Sequence, residues 1–336
     1  MTYETYLYPL LLTPILLIIE LLYFSLARWY TIVDIPNHRS SHTAVTIRGG
    51  GIIFPIAILF YYLISGNYSH NIIGFGMGLL LISLISFIDV LRLTSHRLRL
   101  ATHVLAVVLL LDDVNAFSYP LWITVLVSIF IIGTINAYNF MDGINGITGL
   151  YSLVFMLSAL WINTSHHFID AAFLITLIVA ILVFLFFNFR TKAICFAGDV
   201  GSVSIAFIMC YLLILLSIAS HNLIYLGLLL VYGLDAITTI IFRLIRRENI
   251  FKAHRSHFYQ FLVNEKKISA LKVSTGYAIV QLFINCVLII NYNAASEHHL
   301  STLLIISTPI FLVFIGLRVA IEGRERLFSA AKNIPK

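Results

Sequence analysis

A run of amide and carboxylate side chains near the middle of the sequence could bind a nucleotide and a metal ion. Residues 136–147 read NAYNFMDGINGI, with two glycines and no Lys or Arg. Asn and Asp side chains can hydrogen-bond a nucleobase and supply oxygen ligands to a divalent cation. A solvated turn would explain the glycines but not this density of polar groups. The candidate ligand-binding residues are Asn136, Asn139, Asp142 and Asn145.

A second acidic position stands where the pattern predicts the beginning of a helix. Residues 196–202 read FAGDVGS, and a long apolar run follows them. The free amides of a helix N-terminus attract phosphate, and Asp199 beside them could hold Mg²⁺. The same residues also fit a simple Asp or Ser cap, which would need no ligand.

Two further segments have a charged residue in a position that could serve catalysis or phosphate binding. Asp89 lies near the end of an apolar run, and either a catalytic carboxylate or an interfacial ion pair fits this position. Arg48 precedes Gly49–Gly51 and could hold a phosphate while the glycines allow close backbone approach. A flexible turn at the membrane surface is the alternative for this segment. The potential cations that follow Asp89 are Arg92, His96, Arg97 and Arg99.

The most basic loop also carries two histidines. His254 and His257 are three residues apart and would share a face if the segment were helical, with Arg255 between them. These residues could bind an anion, or the loop could face lipid headgroups. A zinc site is less favoured, because no Cys or Glu has suitable spacing nearby.

The elements that must position these residues are predicted to be membrane-spanning helices. Of the 336 residues, 60 % are hydrophobic and only 11 % are charged, and mean hydropathy is +0.98. This composition excludes a soluble globular enzyme and indicates an all-α, polytopic integral membrane protein. We predict about eleven spans, or ten if the short fourth one is wrong. The predicted spans are 6–27, 51–65, 72–91, 101–111, 120–137, 147–163, 170–188, 202–219, 223–243, 272–290 and 300–318.

The distribution of basic residues predicts the orientation. All 21 Lys and Arg fall in alternate connections or their flanks, and the other connections contain none. The positive-inside rule then places the N-terminus outside and the C-terminus in the cytoplasm. The net charge of +6 is therefore a topology signal rather than evidence for nucleic acid.

We predict a single domain over residues 1–336, because no linker or composition shift divides the chain. Two carboxylates, Glu20 and Asp235, fall within predicted spans. Intramembrane carboxylates suggest function, and Asp235 could line the site. The predicted cytoplasmic site is built from loops 28–50, 89–100, 136–147, 189–202 and 244–271.

Together, these motifs resemble those of the polyprenyl-phosphate N-acetylhexosamine-1-phosphate transferases, the glycosyltransferase family 4 type. This family includes the phospho-MurNAc-pentapeptide translocase and the enzymes that initiate O-antigen and capsule synthesis. The HRSHFYQ wording looks most like the bacterial O-antigen branch. The matching segments are PNHRSSHTAVTIRGGG (36–51), SFIDVLRLTSHRLRL (86–100), NAYNFMDGINGI (136–147), FAGDVGS (196–202) and IFKAHRSHFYQ (250–260).

The resemblance implies a reaction at the inner membrane of a bacterium. A polyprenyl phosphate, in bacteria undecaprenyl phosphate, attacks the β-phosphate of a UDP-activated N-acetyl sugar, which can be a 6-deoxy sugar. The products are a polyprenyl-diphospho-sugar and UMP. The cofactor is Mg²⁺, with Mn²⁺ as a substitute, and a dimer is common in the family. The partners are the sugar nucleotide, the lipid phosphate and the bilayer, without nucleic acid.

Motif matching also implies roles for individual residues. Asp199 would be the Mg²⁺ ligand, and Asp89 would orient or deprotonate the acceptor phosphate. Arg48 would hold the acceptor phosphate or the sugar. The residues that would contact the uridine diphosphate part are Asn139, Asp142 and Asn145, with Asn136 nearby. The residues that would grip the diphosphate or the sugar are His254, Arg255 and His257.

One departure from the family pattern concerns catalysis. The family usually has two adjacent aspartates where this chain has Asp89 and Val90. Valine can neither bind a metal nor move a proton, so a catalytically impaired homologue is an alternative. A polytopic transporter is another alternative. It would place more polar residues deep within several spans, often on broken helices.

Overall fold

The fold, a computed structural model, consists of long helices and one short hairpin. It describes residues 3–36, 44–65, 73–92, 94–250, 254–291 and 299–329. Residues 37–43 and 251–253, which belong to predicted site loops, lie outside this range. The elements are α1 (Tyr3–Trp29), β1 (Val33–Asp34), β2 (Thr46–Ile47), α2 (Ile53–Ser65), α3 (Ile73–Leu91), α4 (His96–Asp113), α5 (Leu121–Met141), α6 (Ile147–His166), α7 (Ala171–Asn188), α8 (Gly198–Ser220), α9 (Leu230–Ile245), α10 (Phe258–Asn264), α11 (Ala270–Ile290), α12 (His299–Glu322) and α13 (Arg324–Phe328).

Each of the eleven predicted spans coincides with a helix, which confirms an all-α polytopic membrane protein. In the described part of the chain, nine helices are long and apolar enough to cross a membrane. The span over Leu223–Ile245 is one of them and begins as a 3-10 helix before α9. The two other predicted spans correspond to α2, which is shorter, and to α4, which carries charged residues at both ends.

Two helices extend further into the predicted site loops than the sequence indicated. Helix α4 begins at His96, where Ser95 caps it by accepting the backbone amide of Leu98, so Arg97 and Arg99 are helical. Helix α5 continues to Met141 and includes Asn136 and Asn139. The Asn136 amide donates to Ile132 O within the helix, so this polar residue does not end it.

The glycine-rich segment after β2 packs against the beginning of α8. Strand β2 pairs with β1, and Ile47 also forms a parallel bridge with Cys195. Gly50 N and Gly51 N donate to Phe196 O and Ala197 O at 2.8 and 3.1 Å. A Cβ on Gly51 would lie 2.3 Å from Gly201 Cα. The absence of side chains on these glycines therefore lets the segment after β2 approach the backbone at the beginning of α8. This contact places Arg48 opposite Asp199.

We expect Gly201→Ala to destabilise the protein, because its Cβ would lie 2.6 Å from Gly51 Cα, where backbone cannot move aside. Overpacking of this kind costs about 1–3 kcal/mol. Thermal unfolding in detergent measures the effect. The matched control is Gly133→Ala in α5, whose added Cβ would have nothing within 4 Å. The control should leave stability unchanged or raise it by at most about 1 kcal/mol. Equal behaviour of the two variants would contradict this close contact.

Candidate active site

Two carboxylates and two arginines from four elements meet at one end of the bundle. Arg99 Nη1, in the first turn of α4, lies 2.8 Å from Asp89 Oδ2 and 3.6 Å from Asp199 Oδ2. Arg48 Nη2 lies 3.4 Å from Asp199 Oδ1. The side chains of Asp89 and Asp199 also contact each other. The structure thus brings together three predicted site residues and adds Arg99, whose only sequence signal is its place among the cations after Asp89.

Asp89 is held firmly at the junction of α3 and α4. Its Oδ1 accepts the backbone amide of Thr94 at 2.7 Å and also the Thr94 hydroxyl. Its Oδ2 accepts from Arg99, and the side chain is only 6 % exposed. Because both oxygens have protein donors, Asp89 fixes the position of Arg99 beside Asp199.

Asp142 joins the end of α5 to the beginnings of α6 and α8. Its Oδ1 accepts the Thr148 hydroxyl at 2.7 Å, and its carboxylate also accepts the amide of Gly198. The pKa of this carboxyl is raised to about 6, because burial and the neighbouring charge of Asp199 outweigh the opposing effects of these two hydrogen bonds and Arg48. Asp142 therefore lies within the same group of charges as Asp199 and Arg48.

The three predicted asparagines have different surroundings. Asn139 faces α8, where its Oδ1 accepts the Ser202 hydroxyl at 2.9 Å. Asn136 lies one turn earlier on α5 and is exposed. Asn145 is buried, and its amide donates to the carbonyls of Arg190 and Thr191 at 2.7 and 3.4 Å. These contacts attach the 142–146 segment to the connection between α7 and α8.

The predicted histidine loop packs against the end of α5. The Tyr259 hydroxyl donates to Phe140 O at 2.9 Å, and the His254 and His257 rings lie 5.9 and 6.5 Å from the Phe140 ring. Residues 254–257 are not helical, since α10 begins at Phe258. The two rings are nevertheless neighbours, with centroids 5.1 Å apart, and Arg255 is half-buried in the same loop.

His254 is neutral at pH 7 rather than cationic. Its pKa is lowered to about 4, mainly by burial and also by the nearby His257 and Arg243. This differs from a simple cationic cluster, in which both imidazoles would be charged. A neutral imidazole can still donate one hydrogen bond to a ligand oxygen.

The donor set of the site fits Mg²⁺. No group of three or more His, Cys, Asp or Glu side chains in the described ranges is arranged to hold a metal. Mg²⁺, however, is commonly bound by one or two carboxylates together with substrate phosphates and water. Asp199, whose side chain is 20 % exposed, offers such a carboxylate, whereas both oxygens of the adjacent Asp89 already accept from Thr94 and Arg99. The arrangement therefore suits a cation that arrives with a phosphate-bearing ligand.

Known proteins resemble the region that contains most of this site. The family model described as Glycosyl transferase family 4 matches residues 72–217. The phospho-N-acetylmuramoyl-pentapeptide-transferase of Thermotoga neapolitana is 26 % identical over 240 residues, which cover 66 % of this chain and 78 % of that protein. The "probable undecaprenyl-phosphate N-acetylglucosaminyl 1-phosphate transferase" of Bacillus subtilis is 23 % identical over 249 residues, covering 69 % of each chain.

The matched region contains three of the five motif segments: 86–100, 136–147 and 196–202. Arg48 and the histidine loop lie outside residues 72–217, yet the structure places both against the matched part. The resemblance that the motifs predicted is confirmed at the level of the family.

Proposed function

We propose that this chain, with its glycosyl transferase family 4 region, transfers the sugar 1-phosphate of a UDP-N-acetylhexosamine, or of its 6-deoxy relative, to undecaprenyl phosphate. The products would be undecaprenyl-diphospho-sugar and UMP. This is the first membrane step in making an O-antigen, a capsule or another envelope glycan. The protein would act in the bacterial cell membrane, with its site facing the cytoplasm.

The observation that carries the proposal is the contact of two carboxylates with two arginines. Arg99 pairs with both Asp89 and Asp199, and Arg48 pairs with Asp199. Phosphoryl transfer depends on positioning and on stabilisation of charge more than on covalent groups. A site with two arginines and two carboxylates can bind phosphate oxygens and a divalent cation together. The same end of the bundle carries Asp142 and Asn139, whose oxygens can accept hydrogen bonds from a nucleoside.

In the proposed reaction, an oxygen of the lipid phosphate attacks the β-phosphorus of the sugar nucleotide. A new P–O bond forms there, and the bond between the β-phosphorus and the bridging oxygen breaks, so that UMP leaves with that oxygen. Bound Mg²⁺ would neutralise charge on the diphosphate. Arg48 and Arg99 would bind phosphate oxygens, and Asp89 would hold Arg99 in place. A phosphate nucleophile is already anionic near neutral pH, so no strong base is required.

The test is UMP formation by the purified protein in detergent. The assay contains undecaprenyl phosphate, Mg²⁺ and a panel of UDP-N-acetylhexosamines that includes 6-deoxy sugars. We expect UMP only when lipid, metal and one particular sugar nucleotide are all present. UMP formed without the lipid would indicate hydrolysis instead. Absence of UMP with every donor, from protein that still binds a sugar nucleotide, would favour the impaired homologue.

The impaired homologue is tested directly by Val90→Asp. Val90 is half-buried next to Asp89, and Asp89 already pairs with Arg99 and contacts Asp199. We therefore expect the added carboxylate to change kcat by less than about threefold, an effect well under 1.4 kcal/mol. Val90→Asn, which adds a polar group of similar size without charge, is the control. A gain above about tenfold with Asp but not with Asn would show that the missing carboxylate limits the enzyme.

A further inference from the structure

We propose that Asp235 and Arg318 are positioning residues that hold His257 and its loop against the end of α5, so that α12 completes the active site. The inference rests on the proposed function, since it gives the loop a place in that reaction. Neither residue belongs to residues 72–217, the region of the family match.

Asp235, on α9, receives hydrogen bonds from the loop that follows it. Its Oδ1 accepts Phe258 N at 2.9 Å, and its Oδ2 accepts Tyr259 N at 3.2 Å. The Tyr277 hydroxyl donates to Oδ2 at 2.7 Å. Asp235 Oδ1 also lies 3.4 Å from Nδ1 of His257. A fully buried carboxylate thus fixes both the first turn of α10 and one side of the imidazole.

Arg318 also holds this loop, and its Nη1 lies 3.9 Å from Asp235 Oδ1. It lies on α12 and is only 1 % exposed, although the span containing it otherwise lies at the periphery of the bundle. Its Nη2 donates to Ser256 O at 2.9 Å, and its Nη1 donates to the hydroxyls of Thr238 and Thr239 at 2.9 Å. The guanidinium also lies over the rings of Phe242 and Phe258.

One ring nitrogen of His257 has neither a hydrogen bond nor an ion-pair contact within the described residues. The side chain is 4 % exposed, and both ring nitrogens are buried without a hydrogen-bond partner there, but Nδ1 lies 3.4 Å from Asp235 Oδ1, which leaves Nε2. Buried polar atoms are rarely left without a partner, and an exception calls for an explanation. The ring lies beside His254 and next to Phe140, which is adjacent to Asn139. We assign the Nε2 of His257 to an oxygen of the bound substrate.

The chain offers a matched control for Asp235. Asp113, at the opposite end of α4, also accepts two backbone amides, those of Gly74 and Phe75. Asp113→Asn and Asp235→Asn therefore each remove one negative charge that accepts two backbone amides. Of the two, only Asp235 contacts the histidine loop (residues 254–257) and the first turn of α10. Arg318→Lys keeps a charge on α12 while it removes the planar group that reaches four acceptors at once, the carboxylate of Glu322 among them. Tyr277→Phe removes one donor to Asp235 without changing shape.

The experiment combines steady-state kinetics with residue-resolved carbethoxylation of histidines, for which the exposed His221 is the internal reference. In Asp235→Asn and Arg318→Lys we expect kcat to fall about 10- to 100-fold, the usual effect of losing a group that orients a functional side chain. The KM for the sugar nucleotide should change much less. The rate of His257 modification should rise relative to His221, with a smaller rise in Tyr277→Phe and none in Asp113→Asn.

The two readouts separate this inference from the proposed function. If the wild-type protein forms no UMP, the proposed reaction fails, while faster modification of His257 in the variants still supports the positioning role. If Asp235→Asn does not fold, Arg318→Lys and Tyr277→Phe carry the test. Unchanged His257 modification in the folded variants, with kcat no lower than in Asp113→Asn, would overturn the inference.

Discussion

Asp199→Asn is expected to reduce Mg²⁺-dependent UMP formation by at least about 10³-fold, a loss of about 4 kcal/mol of transition-state stabilisation. The carboxylate lies in the first turn of α8, between Arg48 and Arg99 and in contact with Asp89. Asn keeps the size of the side chain but removes the negative charge, which is the main source of its affinity for Mg²⁺. The measurement is kcat/KM for the preferred sugar nucleotide over a range of Mg²⁺ concentrations.

A readout independent of turnover accompanies this prediction. Mg²⁺ together with a sugar nucleotide should raise the unfolding temperature of the wild-type protein, because a ligand that binds the folded state stabilises it. The Asp199→Asn protein should lose most of this increase. The control is Asp170→Asn at the N-cap of α7, where the carboxylate accepts Ala172 N and the Tyr61 hydroxyl. Undiminished activity of the Asp199→Asn protein would show that Asp199 is not the Mg²⁺ ligand.

Asp142→Asn is expected to weaken binding of the sugar nucleotide by about 10- to 100-fold, since hydrogen bonds to a charged group contribute about 1.5–3 kcal/mol. The carboxylate is held by Thr148 and Gly198 at the end of α5. It can accept hydrogen bonds from a uracil N–H or a ribose hydroxyl. The measurement is the Kd of a UDP-N-acetylhexosamine without Mg²⁺, and an unchanged Kd would place uridine recognition elsewhere.

The pH dependence of this binding follows from the raised pKa of Asp142, about 6. Above pH 7 the carboxyl is mostly ionised, and as the pH falls through 6 it becomes protonated and loses its strength as an acceptor. Affinity of the wild-type protein should therefore fall between pH 7 and pH 5. The Asp142→Asn protein should show no such fall, because an amide does not titrate in this range. Parallel pH profiles for the two proteins would contradict the assignment to Asp142.

The fold was largely predictable because hydropathy is a local property of the sequence. An apolar run long enough to cross a bilayer forms a helix wherever it packs, since its backbone must hydrogen-bond to itself in lipid. All eleven predicted runs are helical, including the short fourth one. The errors lie at helix ends, where α4 begins five residues early and α5 continues to Met141, four residues past its predicted end. Polar residues near a membrane surface do not by themselves end a helix.

The site was predictable in its members but not in its arrangement. Asp89, Asp142 and Asp199 stand out because carboxylates are rare in a chain with 11 % charged residues. Asn145 and Asn139 are the same residue type, but they have different roles. The Asn145 amide donates to the connection between α7 and α8, whereas Asn139 faces α8 at the site. Arg318 gave no sequence signal at all, since a lone Arg near the end of an apolar run is typical of a membrane boundary.

The sequence by itself therefore determined the membrane helices, the family resemblance and the residue types able to bind phosphate and metal. Only the tertiary structure decided which of them act together. Arg48 and Asp199 are separated by 151 positions, and Arg318 reaches threonines 79 and 80 positions away. Such contacts depend on how helices pack, which no local pattern of polarity specifies. The close approach of Gly51 to Gly201 sets the position of Arg48 in the same way.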